Sequence, residues 1–396
     1  MQYRQHNDIK LSEIGIGCYS LSGVYGSVDP EDFKSVLRRA YELGVNFYDT
    51  ADSYGAVAER VLGQTISPFR DEIYVATKVG IQEGVKPNLT ADYIKNACQA
   101  SLARLQIETI DLYQVHFDDP ETPVEETVSA LEMLKQEGMI RHYGLGHLPI
   151  LKLKEYIDCG EVFSILMEFS AVTRNPRKRL LPFCRDNRIG AIAFSVTGRG
   201  ILSGKIREDV TFEPGDIRIL DPLFQREHFK SALRIANKFD QISSRYGKTP
   251  VQAAIAWALS QNGIICALTG PSTIPHLEEN IGGSGWKLSP EDLSELEDLF
   301  RQEEEWLFRK QSQSIQKILF EKLNQDPLQA FIDLIYVIET SILIGLASEQ
   351  ELLPTFMQLY AMRDTLTKDA IPKMRSIKAI LRESISISPK SKGDTP

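Results

Sequence analysis

The chain alternates between short apolar runs and longer amphipathic segments from Ile14 to about Ile265. The apolar runs are rich in β-branched and aromatic residues, which are typical of buried strands. They read IGIG, VNFYDT, IYVATKV, IDLYQVH, IRHYGLG, FSILMEF, IGAIAFS and IICALTG. Most segments between them repeat apolar residues at helical spacing, as Phe33, Leu37 and Tyr41 do in the first. This alternation predicts parallel strands joined by helices.

Two α/β architectures accommodate such a repeat. Eight strands spread over roughly 250 to 300 residues fit a (β/α)₈ TIM barrel. An open, doubly wound sheet would carry a glycine-rich phosphate loop after its first strand. The first strand is instead followed by CYSLSGVYG, which lacks the G-x-G-x-x-G pattern. The sequence therefore favours the barrel.

The repeat ends near Phe300, so residues 1–300 are predicted to form the barrel domain. Residues 301–388 have a helical pattern and are predicted to be an appended α-helical extension of unknown role. The polar segment 389–396 is predicted to be a disordered tail. A broad apolar face in the extension must be covered by the barrel, by other helices or by a partner chain; it comprises Leu328, Phe331, Ile332, Ile335, Ile338 and Ile342.

Composition excludes several classes of protein. A formal net charge of −9 argues against a protein that binds nucleic acid through its phosphate backbone. The five cysteines are scattered and form no C-x-x-C pair, which is typical of thiols in a reducing compartment. The apolar run from Phe331 is interrupted by Asp333 and Glu339 and is not expected to span a membrane. We therefore expect a cytoplasmic protein without nucleic-acid or membrane partners.

Polar side chains follow three successive predicted strands. Asp49 ends the second strand and Tyr54 lies in its loop, Lys78 lies near the end of the third strand, and His116 ends the fourth. The loops at the carboxyl ends of barrel strands build the active site of such folds. We therefore expect these side chains to converge at one mouth of the barrel.

Their chemistry fits acid–base catalysis on a carbonyl/alcohol pair. Free tyrosine has a pKa near 10, and a nearby lysine ammonium group lowers it by favouring the phenolate. An aspartate beside the lysine keeps the lysine charged and oriented, and a histidine can donate a hydrogen bond to a substrate oxygen. Such a group can protonate a carbonyl oxygen as hydride reaches the carbon.

These segments resemble the aldo-keto reductase family in order along the first 300 residues or so. The matching stretches are NFYDTADSYG, ATKVG, SLARLQIETIDLYQVH and EGMIRHYGLG. The resemblance implies that Asp49, Tyr54, Lys78 and His116 form the catalytic tetrad, with the tyrosine as proton donor. It also implies that the protein is an NAD(P)-dependent oxidoreductase acting on an aldehyde, ketone, sugar or alcohol.

The resemblance further implies a cofactor site at the ends of strands five to eight. Phe194 matches the aromatic residue that stacks on the nicotinamide, and Ser195, Thr197 and Gly198 match the pyrophosphate segment. The adenosine-binding stretch corresponds to Gly270, Ser272, Thr273, His276, Glu279 and Asn280, with the last two holding the adenine.

Three departures from the family pattern affect the cofactor site. Gly146 and His147 stand where Ser-Asn is common, and Glu168 stands where glutamine is common. A carboxylate can accept a hydrogen bond from the nicotinamide carboxamide but cannot donate one unless it is protonated. The stretch PSTIPHLEEN has no arginine or lysine for the 2′-phosphate of NADP(H). The sequence therefore leans toward NAD(H) or dual use, although Lys205 or an arginine of the following loop is an alternative phosphate ligand.

A second class of function remains open. Related β-subunits of potassium channels work mainly through partners, so a cofactor-sensing protein acting through its helical extension is the alternative. That extension leaves open a protein partner or self-association.

A metal-dependent hydrolase finds little support, because the histidines form no H-x-H or H-x-x-x-H pair. We expect the walls of the substrate pocket to include Tyr19, Tyr25, Phe117 and the region of Phe224. Their aromatic character suits a sugar and a small carbonyl compound equally, so the sequence does not identify the substrate.

Overall fold

The computed structural model describes residues 1–81, 87–362 and 365–385. The segment 389–396, predicted to be disordered, lies outside the described residues. The chain comprises two compact units. The first comprises Met1–Asp216 and Ala236–Leu293, and the second comprises Ile217–Ile235 and Ser294–Pro396. The assignment of residues 1–300 and 301–388 to separate domains stays a prediction.

The first unit contains a closed barrel of parallel strands, which confirms the predicted fold class. Its strands are β3 (Ile14–Gly17), β4 (Phe47–Asp49), β5 (Tyr74–Val79), β6 (Ile110–Val115), β7 (Ile140–Gly146), β8 (Ser164–Glu168), β9 (Gly190–Phe194) and β10 (Ile264–Thr269). Neighbours in the chain pair with each other, and β10 closes the barrel on β3 through Ala267–Ile14 and Thr269–Ile16. Each strand falls within one of the apolar runs identified in the sequence.

Helices connect the strands as the amphipathic pattern predicts. They are α1 (Pro30–Glu42), α2 (Gly55–Ile66), α3 (Ala91–Leu105), α4 (Val124–Gln136), α5 (Ile150–Cys159), α6 (Leu180–Asp186), α7 (Arg226–Ser244), α8 (Pro250–Leu259) and α9 (Ile274–Ile281). In α1, the Asp29 side chain accepts hydrogen bonds from the backbone N–H groups of Glu31 and Asp32. Such a cap satisfies donors that have no partner within the helix and is worth about 1 kcal/mol.

A β-hairpin before the barrel was not anticipated from the sequence. Strands β1 (Tyr3–His6) and β2 (Ile9–Ser12) pair in antiparallel fashion. Ile9 and Leu11 are buried in one apolar cluster with barrel residues that include Phe47. Full burial of one aliphatic side chain stabilises a fold by about 1.5–3 kcal/mol. The hairpin escapes notice in the sequence because its strands are short and its first strand is largely polar.

The second unit is helical and has its own core, which confirms the predicted helical C-terminal region. Its C-terminal helices are α10 (Pro290–Phe320), α11 (Pro327–Leu343), α12 (Glu349–Tyr360) and α13 (Ile371–Ser384), of which α10 begins in the first unit. Side chains of all four helices share one buried cluster, and the central α11 contributes Phe331, Leu334 and Ile338. Most of the predicted apolar face is thus covered within the unit, although Leu328 is 44% exposed.

No helix in the described part of the chain combines the length and the apolar character that crossing a membrane requires.

Candidate active site

A buried ion pair links the ends of two adjacent strands. Lys78 on β5 donates hydrogen bonds to Asp49 at the end of β4 and, at 2.7 Å, to the backbone carbonyl of Thr50. The side chains of Lys78 and Asp49 are only 1% and 2% exposed. A charge that is buried this deeply requires an opposite charge and hydrogen-bond partners. The lysine is therefore fixed in position and remains an ammonium group.

Gln114 completes this network and was missed in the sequence. Its Nε2 group donates a hydrogen bond of 2.9 Å to Asp49, so both carboxylate oxygens of the aspartate have partners. Gln114 could have been predicted from its spacing in the sequence, because alternate residues of a strand face the same side. Gln114 lies two residues before His116 and therefore shares its side of β6.

Tyr54 lies where the loop after β4 turns into α2. Gly55 adopts a left-handed conformation with φ of 73°, which glycine accommodates readily, and this lets the chain turn sharply after the tyrosine. The Lys78 ammonium group lies 4.8 Å from the centroid of the Tyr54 ring. The structure thus brings together the tyrosine, lysine and aspartate that the sequence singled out.

Two opposing effects set the acidity of Tyr54. Removal of its hydroxyl group from water raises its pKa, Lys78 lowers the pKa, and the net result is about 12. The expected lowering by Lys78 is present but is outweighed by burial. Burial likewise disfavours the charged form of Lys78, yet Asp49 and Tyr54 more than compensate and raise the pKa of the ammonium group. In the protein alone, Tyr54 is therefore a protonated phenol beside a permanent cation.

His116 also lies near Tyr54. It is 6% exposed, and the centroids of the two rings are 5.9 Å apart. The Ser53 hydroxyl lies 3.4 Å from its Nδ1 atom. Burial, with the charge of Lys78, lowers the pKa of His116 well below its ordinary value. The imidazole is therefore neutral at physiological pH and can donate one hydrogen bond.

Aromatic side chains surround these groups. The Tyr19 ring lies 4.8 Å from Tyr54 and 6.0 Å from Tyr25. Phe117 contacts His116, with ring centroids 4.7 Å apart. These predicted walls therefore lie beside the tetrad, whereas Phe224 belongs to the second unit.

His147 and Phe194 continue the aromatic lining toward the strands predicted to hold the cofactor. His147 follows β7, stacks on Phe117 at 4.8 Å and lies 5.3 Å from Phe194 at the end of β9. Its ring centroid is 5.9 Å from that of His116. His147 thus lies between His116, a tetrad candidate, and Phe194.

Glu168 ends β8 directly beside Phe194, its partner in the register of β8 and β9. Its carboxylate forms an ion pair with Arg199, with N–O distances of 2.7 and 3.1 Å to two different guanidinium nitrogens. Glu168 was predicted from the sequence, but Arg199 was not, because it stands between two glycines without a recognisable motif.

The predicted pyrophosphate segment forms a tight turn after β9. Ser195 and Gly198 both have positive φ angles, of 52° and 59°. The Gly198 N–H group donates to the Ser195 carbonyl at 2.7 Å, and Thr197 accepts from Gly200 and Leu202. These bonds hold the segment in a compact turn, and its role at the pyrophosphate stays a prediction.

The predicted adenosine-binding stretch runs from the end of β10 into α9. Gly270 follows β10, and Thr273 caps α9 by accepting a hydrogen bond from the His276 N–H group. Ser272 is half-buried, while Thr273 and His276 are exposed. Among the last residues of the stretch, Asn280 is buried, and half-buried Glu279 lies 3.6 Å from the Lys205 ammonium group. A cation therefore does reach this region, from outside the stretch itself.

Within the part of the chain that the structure describes, no group of three or more histidine, cysteine, aspartate or glutamate side chains is arranged to hold a metal ion.

Comparison with known proteins agrees with this geometry. The Aldo/keto reductase family model matches residues 13–301. A probable aldo-keto reductase of Glycine max is 33% identical over 296 residues, covering 72% of this chain and 85% of the relative. An aldo-keto reductase of Schizosaccharomyces pombe, whose name specifies NADP(+), is 33% identical over 294 residues and covers 72% and 86%. A glycerol dehydrogenase structure from Gluconobacter oxydans has a TM-score of 0.71 and 27% identity, covering 76% and 96%.

The chain belongs to the aldo/keto reductase family. It is an NAD(P)-dependent oxidoreductase of the class that interconverts carbonyl compounds and alcohols. The expectation drawn from the sequence segments is thereby confirmed at the level of family and class.

Proposed function

We propose that the protein interconverts an aldehyde, ketone or sugar carbonyl with the corresponding alcohol, using Tyr54 as the general acid and base. The observation that carries this proposal is the Lys78 ammonium group, which is fixed by Asp49 and placed 4.8 Å from the Tyr54 ring. A permanent cation at this position favours the phenolate that forms when the tyrosine gives up its proton.

The chain's own residues divide the work in the following way. In reduction, Tyr54 donates its phenolic proton to the substrate oxygen, and Lys78 stabilises the resulting phenolate. His116, which is neutral, donates a hydrogen bond that holds the substrate oxygen near Tyr54. Asp49 and Gln114 position Lys78 and do not contact the substrate. In oxidation the same groups act in reverse, and Tyr54 receives the proton.

The cofactor that this chemistry requires fits the residues present. Ser195 and Thr197 in the turn at 195–200 are half-buried rather than enclosed, and the N-terminus of α9 favours an anionic group. The cofactor, when bound, supplies or accepts the hydride. We propose that Phe194 packs on its nicotinamide, that Ser195, Thr197 and Gly198 hold its pyrophosphate, and that the stretch Gly270–Asn280 holds its adenosine.

We further propose that the enzyme uses NAD(H), or both NAD(H) and NADP(H). The exposed residues at the start of α9 carry no arginine or lysine, so a 2′-phosphate finds no bidentate donor there. Lys205 supports dual use, since it lies near Glu279 and can offer a point charge. The Glu279 carboxylate competes for that charge, and it is also an acceptor suited to the 2′-hydroxyl of NAD(H).

A titration of the purified protein tests the proposed function. We expect NADH and NADPH each to change the protein fluorescence on binding, with NADH at least as tight as NADPH. Turnover is then assayed with a panel of short aldehydes, hydroxyketones and open-chain sugars, and in reverse with polyols. Failure to bind either cofactor, together with no turnover on the panel, would contradict the proposal.

A second candidate role concerns the helical unit. Its buried core makes it a folded part of the protein, and Leu353 and Met357 on α12 are 45% and 42% exposed. We propose self-association through this face of α12 as its role. Light scattering should give a multiple of the 44.6 kDa chain mass that returns to the single mass in Leu353→Glu/Met357→Glu. A monomeric parent protein would exclude this role.

A further inference from the structure

The ion pair between Glu168 and Arg199 has the geometry of a built element. Two guanidinium nitrogens contact the two carboxylate oxygens separately, at 2.7 and 3.1 Å. The side chains are 28% and 20% exposed, so neither is a loose surface group. A two-point contact of this kind fixes the orientation of the carboxylate, whereas a lysine would supply only a point charge.

The backbone around Arg199 is shaped to direct this side chain to Glu168. Gly198, Arg199 and Gly200 all have positive φ angles, of 59°, 51° and 93°. A side chain at Gly198 would collide with Val172, because an added Cβ atom would lie 2.6 Å from its Cγ2 atom. The left-handed conformation is unusual for a residue such as arginine and costs on the order of 1 kcal/mol or more. The fold thus maintains a strained residue at this position.

The pair lies at the nicotinamide end of the proposed cofactor site. Glu168 is the register partner of Phe194, and His147 approaches the same phenylalanine from β7 at 5.3 Å. Arg199 belongs to the turn whose backbone is proposed to hold the pyrophosphate. Arg199 therefore connects the proposed pyrophosphate turn to a carboxylate beside the proposed nicotinamide position.

The chemistry of the pair matches one part of the nicotinamide. A carboxylate that is paired with a guanidinium group stays ionised and can act only as an acceptor. Each carboxylate oxygen has two acceptor sites, and the contact with Arg199 uses one on each oxygen. The carboxamide of the nicotinamide ring carries an NH₂ group, which is a donor only. The fixed carboxylate of Glu168 can therefore accept a hydrogen bond from that NH₂ group. It cannot form one with the carboxamide oxygen, which is itself an acceptor.

We propose that Arg199 is a positioning residue that holds the Glu168 carboxylate oriented to accept a hydrogen bond from the carboxamide NH₂ of the nicotinamide. This inference rests on the proposed function, because it requires the cofactor to lie on Phe194. It gives the glutamate a role that glutamine cannot fill in the same way, since a glutamine side chain offers an equal choice of donor and acceptor.

Three probes separate the parts of the cofactor. NADH contains the whole molecule, reduced 3-acetylpyridine adenine dinucleotide replaces the NH₂ group by a methyl group, and ADP-ribose keeps the pyrophosphate but lacks the nicotinamide. Dissociation constants for all three are measured on the parent protein, on Arg199→Met and on Glu168→Gln, with Arg199→Lys as the conservative variant. Urea unfolding of each variant establishes that it is folded.

The parent protein should bind NADH about tenfold to a hundredfold more tightly than the acetylpyridine analogue, as expected for a hydrogen bond to a charged acceptor. Arg199→Met should reduce that preference to a few-fold and leave the affinity for ADP-ribose unchanged. Arg199→Lys should restore part of the preference at most. The Glu168→Gln variant should keep a smaller preference, because its amide can still rotate to accept.

Two results would overturn the inference while leaving the proposed function intact. One is equal binding of NADH and the analogue by the parent protein. This result does not depend on whether any variant folds. The other is a parallel loss of affinity for NADH and ADP-ribose in Arg199→Met, which would make Arg199 a pyrophosphate ligand. Failure of the parent protein to bind any of the three probes would instead remove the proposed function together with this inference.

Discussion

The two halves of the barrel mouth are built in different ways. In the proposed acid–base half, which comprises Asp49, Tyr54, Lys78 and His116, we expect the chemistry to come from specific side chains. Buried hydrogen bonds join Lys78 and Gln114 to Asp49 there. In the proposed cofactor half, defined as residues 147, 168, 194–200 and 270–280, we expect backbone shape to contribute as much as side chains. His147, Ser195 and Arg199 all have positive φ angles there. Substitutions in the first half should therefore act by changing side-chain chemistry. Substitutions in the second half should act by changing which backbone conformations the residue can adopt.

The largest expected effect is that of Lys78→Met. This change leaves the Asp49 carboxylate buried without a cation, and breaking a buried pair in this way costs about 3–5 kcal/mol. Turnover should fall to background or move to a higher pH, since Tyr54 loses the charge that favours its phenolate. Urea unfolding and the pH profile of turnover measure the two effects.

Lys152→Met is the matched control for Lys78→Met. Lys152 pairs with Glu155 on the surface, where the glutamate is 54% exposed. Surface pairs contribute about 0–1 kcal/mol. Equal losses of stability in the two lysine variants, or an unchanged pH profile in Lys78→Met, would remove the distinction between the buried network and an ordinary ion pair.

The next effect is the pH dependence of stability caused by His116. Its pKa is lowered by burial in the folded state, so below about pH 6.5 the unfolded chain binds a proton that the folded chain does not. Stability due to this group is present above pH 6.5 and decreases as the pH falls, by roughly 1.4 kcal/mol per unit. The free energy of unfolding, measured with urea between pH 7 and pH 5, should depend less steeply on pH in His116→Gln than in the parent protein. Identical slopes would mean that the imidazole is not held neutral by the fold.

A smaller effect is expected from Gln114→Leu. The substitution removes the donor to the second oxygen of Asp49 while nearly keeping the side-chain volume. The buried carboxylate then lacks one partner, which costs about 1–3 kcal/mol. Turnover should decrease while the dissociation constant for NADH stays the same, because Gln114 acts through Asp49 and Lys78. A change in cofactor affinity with normal turnover would place Gln114 in the other half of the mouth.

The same contrast explains what the sequence could predict. The eight barrel strands were identified because each falls within an apolar run. The four tetrad candidates were identified because each lies near the end of such a run or in the loop after it. Gln114 could have been identified as well, since it shares the face of His116. The polar first strand of the hairpin, β1, offers no comparable pattern.

The cofactor half was harder to predict for a physical reason. Arg199 approaches Glu168 only because three successive residues adopt left-handed backbone conformations. Glycines at positions 198 and 200 permit that turn, but their presence does not reveal which way the intervening side chain points. Lys205 likewise contacts Glu279, a residue far from it in the sequence. Such contacts depend on loop geometry, which local sequence patterns do not encode.

A smaller effect again is a change of cofactor preference in His276→Arg. The exposed position at the start of α9 would gain a planar, charged donor for a 2′-phosphate. Affinity for NADPH relative to NADH should increase about tenfold, which corresponds to roughly 1.4 kcal/mol. Competition titrations with the two cofactors measure the ratio.

Lys205→Met serves as the counterpart of His276→Arg. It removes the cation near Glu279 and should weaken NADPH a few-fold with little effect on NADH. An unchanged ratio of affinities in both variants would place the 2′-phosphate away from the start of α9.

The most direct test of the two-part mouth is Tyr54→Phe, which deletes one oxygen atom from the acid–base half and leaves the cofactor half intact. The dissociation constant for NADH and the turnover number are measured on the same preparation, together with the parent protein. We expect turnover to fall by about 10²- to 10⁴-fold, as for loss of a general acid, with the NADH dissociation constant unchanged. Near-normal turnover, or a loss of NADH binding as large as the loss of turnover, would contradict the assignment of Tyr54 as the acid–base group.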